Sequence, residues 1–169
     1  MSKVNSEKLN FILEATKSYK HNGKDFFDHL LRTSGIVEKL CQQIGIEDSE
    51  YLVDAALFHS IYGTDYYEFN EQISREKIIS LIGEKSEQLV HFFCSLTDRN
   101  IQILQHKFQP SLQRDLYILE YANLIEVSVA DVQKTSALNP SKIFRLKLLR
   151  ANLIDHYKFD MPPLPFNFA

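Results

Sequence analysis

Apolar residues recur at three- and four-residue intervals along most of this chain, a spacing that predicts a succession of amphipathic helices. The first is expected from Ser6 to Tyr19, capped by Ser6 and broken by Asn22-Gly23. A second covers roughly Lys24 to Ile44 and stops at Gly45, and a third, capped by Asp48 or Ser49, carries Tyr51 to Ser60 up to Gly63. Thr64 to Asn70 reads as an aromatic loop of a kind that closes over pockets. Ser74 then caps a helix through Ile82, and Gly83 divides it from another over Glu84 to Leu96. The polar break Thr97-Asp98-Arg99-Asn100 leads into a less regular stretch that ends at Pro110. From Ser111, the series Leu112, Leu116, Leu119, Val127 and Ala130 marks a long core helix, and Asn139-Pro140-Ser141 opens the last one, through about Tyr157. The tail after Asp160 carries Pro162, Pro163 and Pro165, which excludes helix and predicts an extended segment lying across this domain or a neighbouring subunit.

Polar residues interrupt the apolar faces at three places. His29 shares a helical face with Phe26, Thr33 and Ile36; His59, followed by Ser60, continues the face of Leu52, Ala55 and Ala56; Asn123 falls between Leu119 and Val127. Burying an imidazole or an amide without partners costs on the order of 1–3 kcal/mol, so these groups must satisfy one another, a water or a ligand. They form the candidate site. The bland alternative, a set of packed core histidines, stands beside it.

Composition narrows the class. The chain has 169 residues, 44% of them hydrophobic, with five Gly and no Trp, which fits one all-α domain over residues 1–160, a bundle of six to seven helices, followed by the tail at 161–169. A net charge of −3 gives no electrostatic case for nucleic acid as a partner. No apolar run approaches membrane-spanning length and the N-terminus lacks the apolar core of a signal peptide, so no membrane partner and a cytoplasmic location are expected. Cys41 and Cys94 sit in apolar helical patterns with no paired spacing, as small buried hydrophobes do.

The order of these motifs carries a resemblance. A helix with one core His (His29), the run Ala55-Ala56-Leu57-Phe58-His59-Ser60-Ile61-Tyr62-Gly63-Thr64, and the later Tyr121-Ala122-Asn123-Leu124-Ile125-Glu126 together resemble the HD-domain superfamily over about residues 24–130. The nearest likeness is to an HD-like group with a His-Ser-x-Tyr-Gly-Thr signature. The resemblance implies an HD-like helical bundle around one divalent metal, held by His29, by His59 and by a residue at the position of Asn123. It also implies hydrolase or oxygenase chemistry on a small anionic molecule. Ser60 and Asn123 stand where the superfamily has its aspartates, so only neutral oxygens are offered there. The expected ion is therefore a nitrogen-seeking transition metal, Zn, Fe, Mn or Ni, with Glu120 or Glu126, one turn either side of Asn123, as helpers. The same two replacements equally fit a non-catalytic binding or interaction domain that has lost its metal.

On the catalytic reading Ser60 orients substrate and Glu126 accepts a proton, while Arg32, Thr33, Tyr62 and Thr64 are the candidate substrate-binding residues. A direct Ser60–His59 dyad is not expected, because adjacent helical residues point about 100° apart. Asp98 and Arg99 are read either as reaching the pocket rim or as a local turn and cap, and the turn and cap is the expectation. Lys142, Arg145, Lys147 and Arg150 resemble an anion-binding stripe on the last helix, but their helical angles are scattered around the cylinder, so a solvated face is expected. His91 reads as a boundary residue, and His21, His106 and His156 carry no spacing signal. A small-molecule ligand and a homo-oligomer formed through the tail are the expected partners.

Overall fold

The computed structural model describes residues 5–166 apart from 22, 65–72, 106, 136 and 138. Among the described residues the chain is all-α, with eight helices and a two-residue hairpin. Helix α1 spans Ser6–Thr16; β1 (Lys20–His21) and β2 (Lys24–Asp25) pair antiparallel; α2 (Phe26–Ile44), α3 (Glu50–Phe58), α4 (Arg75–Ile82), α5 (Glu84–Ser95), α6 (Arg99–Gln105), α7 (Pro110–Thr135) and α8 (Pro140–Tyr157) follow.

Several boundaries differ from the sequence expectation, for local reasons. Asn5, not Ser6, caps α1, accepting the Glu7 N–H, and the helix stops at Thr16 rather than Tyr19. Lys24 and Asp25 are spent on the hairpin, so α2 starts two residues later than the apolar pattern suggested. At its far end Gly45, at φ 74°, takes the left-handed conformation that lets its N–H reach the Cys41 carbonyl. Helix α6 occupies the stretch that looked irregular; seven residues long with Ile103 as its one buried position, it offers almost no periodic signal. The caps at Ser74 and Asn139 form as expected, accepting the N–H of Lys77 and those of Ser141 and Lys142.

Two helices lie inside the others. Residues 52–61 of α3 and its C-terminal turn, and residues 115–124 of α7, are buried without interruption. Helices α2, α5 and α8 pack around them, and the core joins Phe26, Leu30, Leu52, Phe58, Phe93, Leu116 and Leu149. An enclosed helix must satisfy its polar side chains internally, and two of the acids on α7 are met in this way: Asp115 accepts from Tyr51 and Arg114, and Glu126 from α2. Glu87 of α5, fully buried, accepts two bonds from Arg75 and one from Tyr62.

The described part of the tail is non-helical and lies on its own domain. Met161 is buried, and Arg150 of α8 donates to the Met161 and Pro162 carbonyls. No described helix is long and apolar enough to cross a membrane. The aromatic loop expected at 64–70 lies outside the described residues beyond Thr64.

Candidate functional site

Helix α2 presents His29 on its inward face one turn after Phe26. His59 is the C-cap of α3, where the chain leaves helical geometry through a turn closed by Ile61 N–H to the Phe58 carbonyl. These two placements bring the imidazoles together across the helix pair, Nε2 to Nε2 at 3.2 Å. Both rings are buried.

The outer nitrogens fix the tautomers. His59 Nδ1 donates to the Ala56 carbonyl at 2.7 Å, and His29 Nδ1 donates to Glu126 Oε2 at 2.5 Å. A carbonyl and a carboxylate accept only, so each Nδ1 must carry the hydrogen. In two neutral rings both Nε2 atoms would then be bare lone pairs facing each other. A proton or a cation between them removes that conflict. Burial, then the neighbouring His29, pushes the His59 pKa well below its usual value, which keeps its ring a lone-pair donor.

Glu126 is held from both sides. Its Oε1 accepts from Arg32 Nε at 2.8 Å while Oε2 takes His29. Burial raises its pKa, but the His29 and Arg32 bonds outweigh that and hold it below the ordinary carboxylate range.

The pair opens on a cavity of about 310 Å³, at the lower end of the size typical for small-molecule sites. His21, His29, His59, Ser60, Thr64 and Asn123 line one part of it; Arg99, Glu120, Lys142 and Arg145 line another. The structure thus brings together His29, His59, Ser60, Asn123 and Thr64. It does not bring in the other expected substrate-binding residues. Arg32 faces a separate groove with Lys39 and Gln133, where Glu126 also lies. Thr33 donates to the His29 carbonyl, and Tyr62 is turned to Glu87. Glu126 has both oxygens engaged and is absent from the cavity wall, so its chemistry is orientation of His29 rather than proton acceptance.

Four lining residues were missed or set aside in the sequence. His21 is carried on the hairpin, its ring stacked on His29 with centroids 4.3 Å apart. His21, His29 and Glu126 each offer a metal-ligating atom within 4.8 Å of one another. Burial, then His29, lowers the His21 pKa to about 4. A two-residue strand has no helical periodicity in which the residue could have shown itself. Arg99 opens α6 instead of forming only a turn; its guanidinium sits over the Phe93 ring at 4.1 Å and pairs with Glu120 at 3.4 Å. Lys142 and Arg145, expected in solvent, reach the cavity because α8 packs along α7. Of that helix's other cations, Lys147 is exposed and Arg150 holds the tail. His91 and His156 are exposed, as expected of residues without a spacing signal, and the His106 side chain lies outside the described residues.

Asn123 donates weakly to Glu120 Oε2, at 3.4 Å. Glu120 Oε1 is buried with no hydrogen-bond partner among the described residues, as are Arg99 Nε and Arg145 Nε. Arg99, Glu120 and Arg145 all line the cavity, and each carries a buried polar atom that makes no hydrogen bond among the described residues, which favours a site completed by a ligand or water.

A family model described as a domain of unknown function (DUF6817) matches residues 12–99, more than half of the chain, and the protein belongs to that family. The match takes in His21, His29, His59 and Ser60 and ends at Arg99. No curated protein and no solved structure matches the chain.

Proposed function

We propose that this DUF6817 protein holds one divalent transition metal between His29 and His59 and hydrolyses a small anionic molecule in the adjoining cavity. The observation that carries the reading is the pair of facing Nε2 atoms at 3.2 Å, each with its Nδ1 hydrogen already used. Two imidazole nitrogens on one tetrahedral zinc-like ion lie about 3.3–3.4 Å apart, given bonds of roughly 2.0–2.1 Å. The Glu126–His29 bond is the carboxylate–histidine partnership that orients metal ligands and raises their basicity. The order of His29, His59-Ser60 and Asn123 along the chain, which resembles the HD-domain superfamily, supports the same assignment.

The bound ion would supply Lewis acidity and lower the pKa of a coordinated water. The remaining work falls to the chain. Asn123, His21 and Ser60 border the ligand pair, and Thr64 extends that border. Glu120 lines the cavity and has one oxygen without a hydrogen-bond partner among the described residues, which supports a role for its carboxylate as proton acceptor from a cavity water. Glu126 and Ala56 fix the imidazoles and take no proton.

A second reading has its own support: the same Nε2–Nε2 contact is satisfied by a shared proton, with Glu126 as counter-charge, in a non-catalytic ligand-binding domain. Elemental analysis of protein purified without chelator separates the two, alongside His29→Ala and His59→Ala. Near-stoichiometric metal in the parent, lost in both variants, supports the metal centre. No metal in any of the three, with no thermal shift on adding zinc or iron, overturns it in favour of the proton-bridged pair.

A further inference from the structure

We infer that the α6–α8 side of the cavity is an oxyanion cradle, in which Arg99, Arg145 and Lys142 hold a phosphoryl or carboxylate group of the bound molecule. This deepens the proposed function and rests on its cavity, though not on its metal. Three cationic side chains line a cavity on which Glu120 is the one acidic residue among the described residues, in a protein whose overall charge is negative. That concentration against the trend of the whole chain sets a local positive field.

The hydrogen-bond accounting sharpens the point. Arg99 Nε and Arg145 Nε are buried and make no hydrogen bond among the described residues. A guanidinium N–H is an obligatory donor, and a planar fork of such donors matches the oxygens of a phosphoryl or carboxylate group. Arg99 is held by its stacking on Phe93, and its pairing with Glu120, at 3.4 Å, makes no hydrogen bond through Nε. Lys142 is anchored by Asp131 at 2.5 Å and adds charge at the wall. The histidine pair lies on the same cavity, so an anion on the cradle presents the rest of the molecule toward His29 and His59. Arg99 is the last residue of the family match at 12–99, whereas Lys142 and Arg145 fall outside it, so the matched part does not include the α8 share of this wall.

The test is calorimetric titration of the full chain with inorganic phosphate and, separately, acetate, each in the presence of chelator and again with zinc. Binding of either anion in chelator is expected, weakened tenfold or more in Arg145→Gln and unchanged in Lys147→Gln, which alters an exposed residue of the same helix. Arg145→Lys keeps the charge and should recover part of the loss, which separates anion contact from a packing defect; thermal melting confirms that each variant folds. Phosphate binding alone assigns a phosphoryl group, and acetate binding alone a carboxylate. If neither anion binds, or if Arg145→Gln leaves binding intact, the cradle is overturned. Zinc-dependent phosphate binding that ignores Arg145→Gln overturns the cradle while leaving the metal reading in place.

Discussion

Replacing Glu126 by Gln is the sharpest perturbation of the proposed centre, because it removes no atom from the cavity wall. Both carboxylate oxygens accept hydrogen bonds, Oε2 from His29 Nδ1 and Oε1 from Arg32 Nε. A Gln amide has one accepting oxygen and one donating NH₂, so only one of the two partners can keep its bond. If His29 keeps the oxygen, Arg32, whose side chain is 43% exposed, turns to water and the ligand loses only the carboxylate's charge. Losing the carboxylate behind a metal-binding imidazole costs about 10–100-fold in metal affinity, or about 1.4–2.7 kcal/mol. If Arg32 keeps it, the NH₂ donates to His29 Nδ1, which moves the ring hydrogen to Nε2 and removes the lone pair that faces His59. The affinity then falls as far as in His29→Ala. The expected range for Glu126→Gln is thus from about tenfold weaker to complete loss. Arg32→Gln, which leaves the His29 bond in place, should change affinity by less than about tenfold. Competition against a chromophoric zinc chelator measures both, with circular dichroism as the check on folding. A folded Glu126→Gln protein that binds zinc as tightly as the parent would refute the lone-pair argument.

Three further outcomes follow from the packing. Phe58→Ala empties a fully buried ring site beside Phe11 and should cost about 3–5 kcal/mol in urea unfolding; a cost below about 1 kcal/mol contradicts the described core. Burial raises the Glu87 pKa but the bonds from Arg75 and Tyr62 bring it below its ordinary value, so its contribution is present above about pH 4.5 and lost as pH falls through the folded value. Acid titration of Glu87→Gln should accordingly show a shallower loss of stability below pH 4.5, and an unchanged acid limb counts against the cluster. Truncation after Asp160 removes buried Met161 and the two carbonyls held by Arg150, and should destabilise by roughly 1–3 kcal/mol with no change in solution mass. A mass change in light scattering would instead make the tail a subunit interface.

The all-α class, both histidines and Asn123 were legible because helical periodicity makes a polar residue on an apolar face conspicuous. His29 and Asn123 stand out in that way on α2 and α7. The signal fails where an element is short. His21 sits on a two-residue strand, and α6 has seven residues with one buried, so neither has a period to read. On α8 the difficulty is different: Lys142 and Arg145 look like a solvated face, and only the docking of that helix along α7 turns them inward. Arg32 errs in the opposite sense. One turn from His29 in sequence, it reaches Glu126 from the far side and never meets the cavity.

The placement of charge around the histidine pair carries a prediction about which ion it prefers. The residues that border the proposed centre on the cavity are His21, Ser60 and Asn123, none of them a carboxylate, while Glu126 lies behind His29 and Glu120 beside Arg99. Magnesium and calcium depend on directly bound carboxylate oxygens and gain little from imidazole, whereas zinc, nickel and iron(II) accept nitrogen readily. A tenth-molar excess of magnesium should therefore fail to displace zinc from the pair. Nickel should displace it at comparable concentration, since both ions suit imidazole. Competition titrations that instead ranked magnesium near zinc would require an acidic oxygen in direct contact with the ion. Glu120 Oε1, buried and unpartnered on the same wall, is the group that could supply it, and Glu120→Gln would then abolish magnesium binding while leaving zinc on the two histidines.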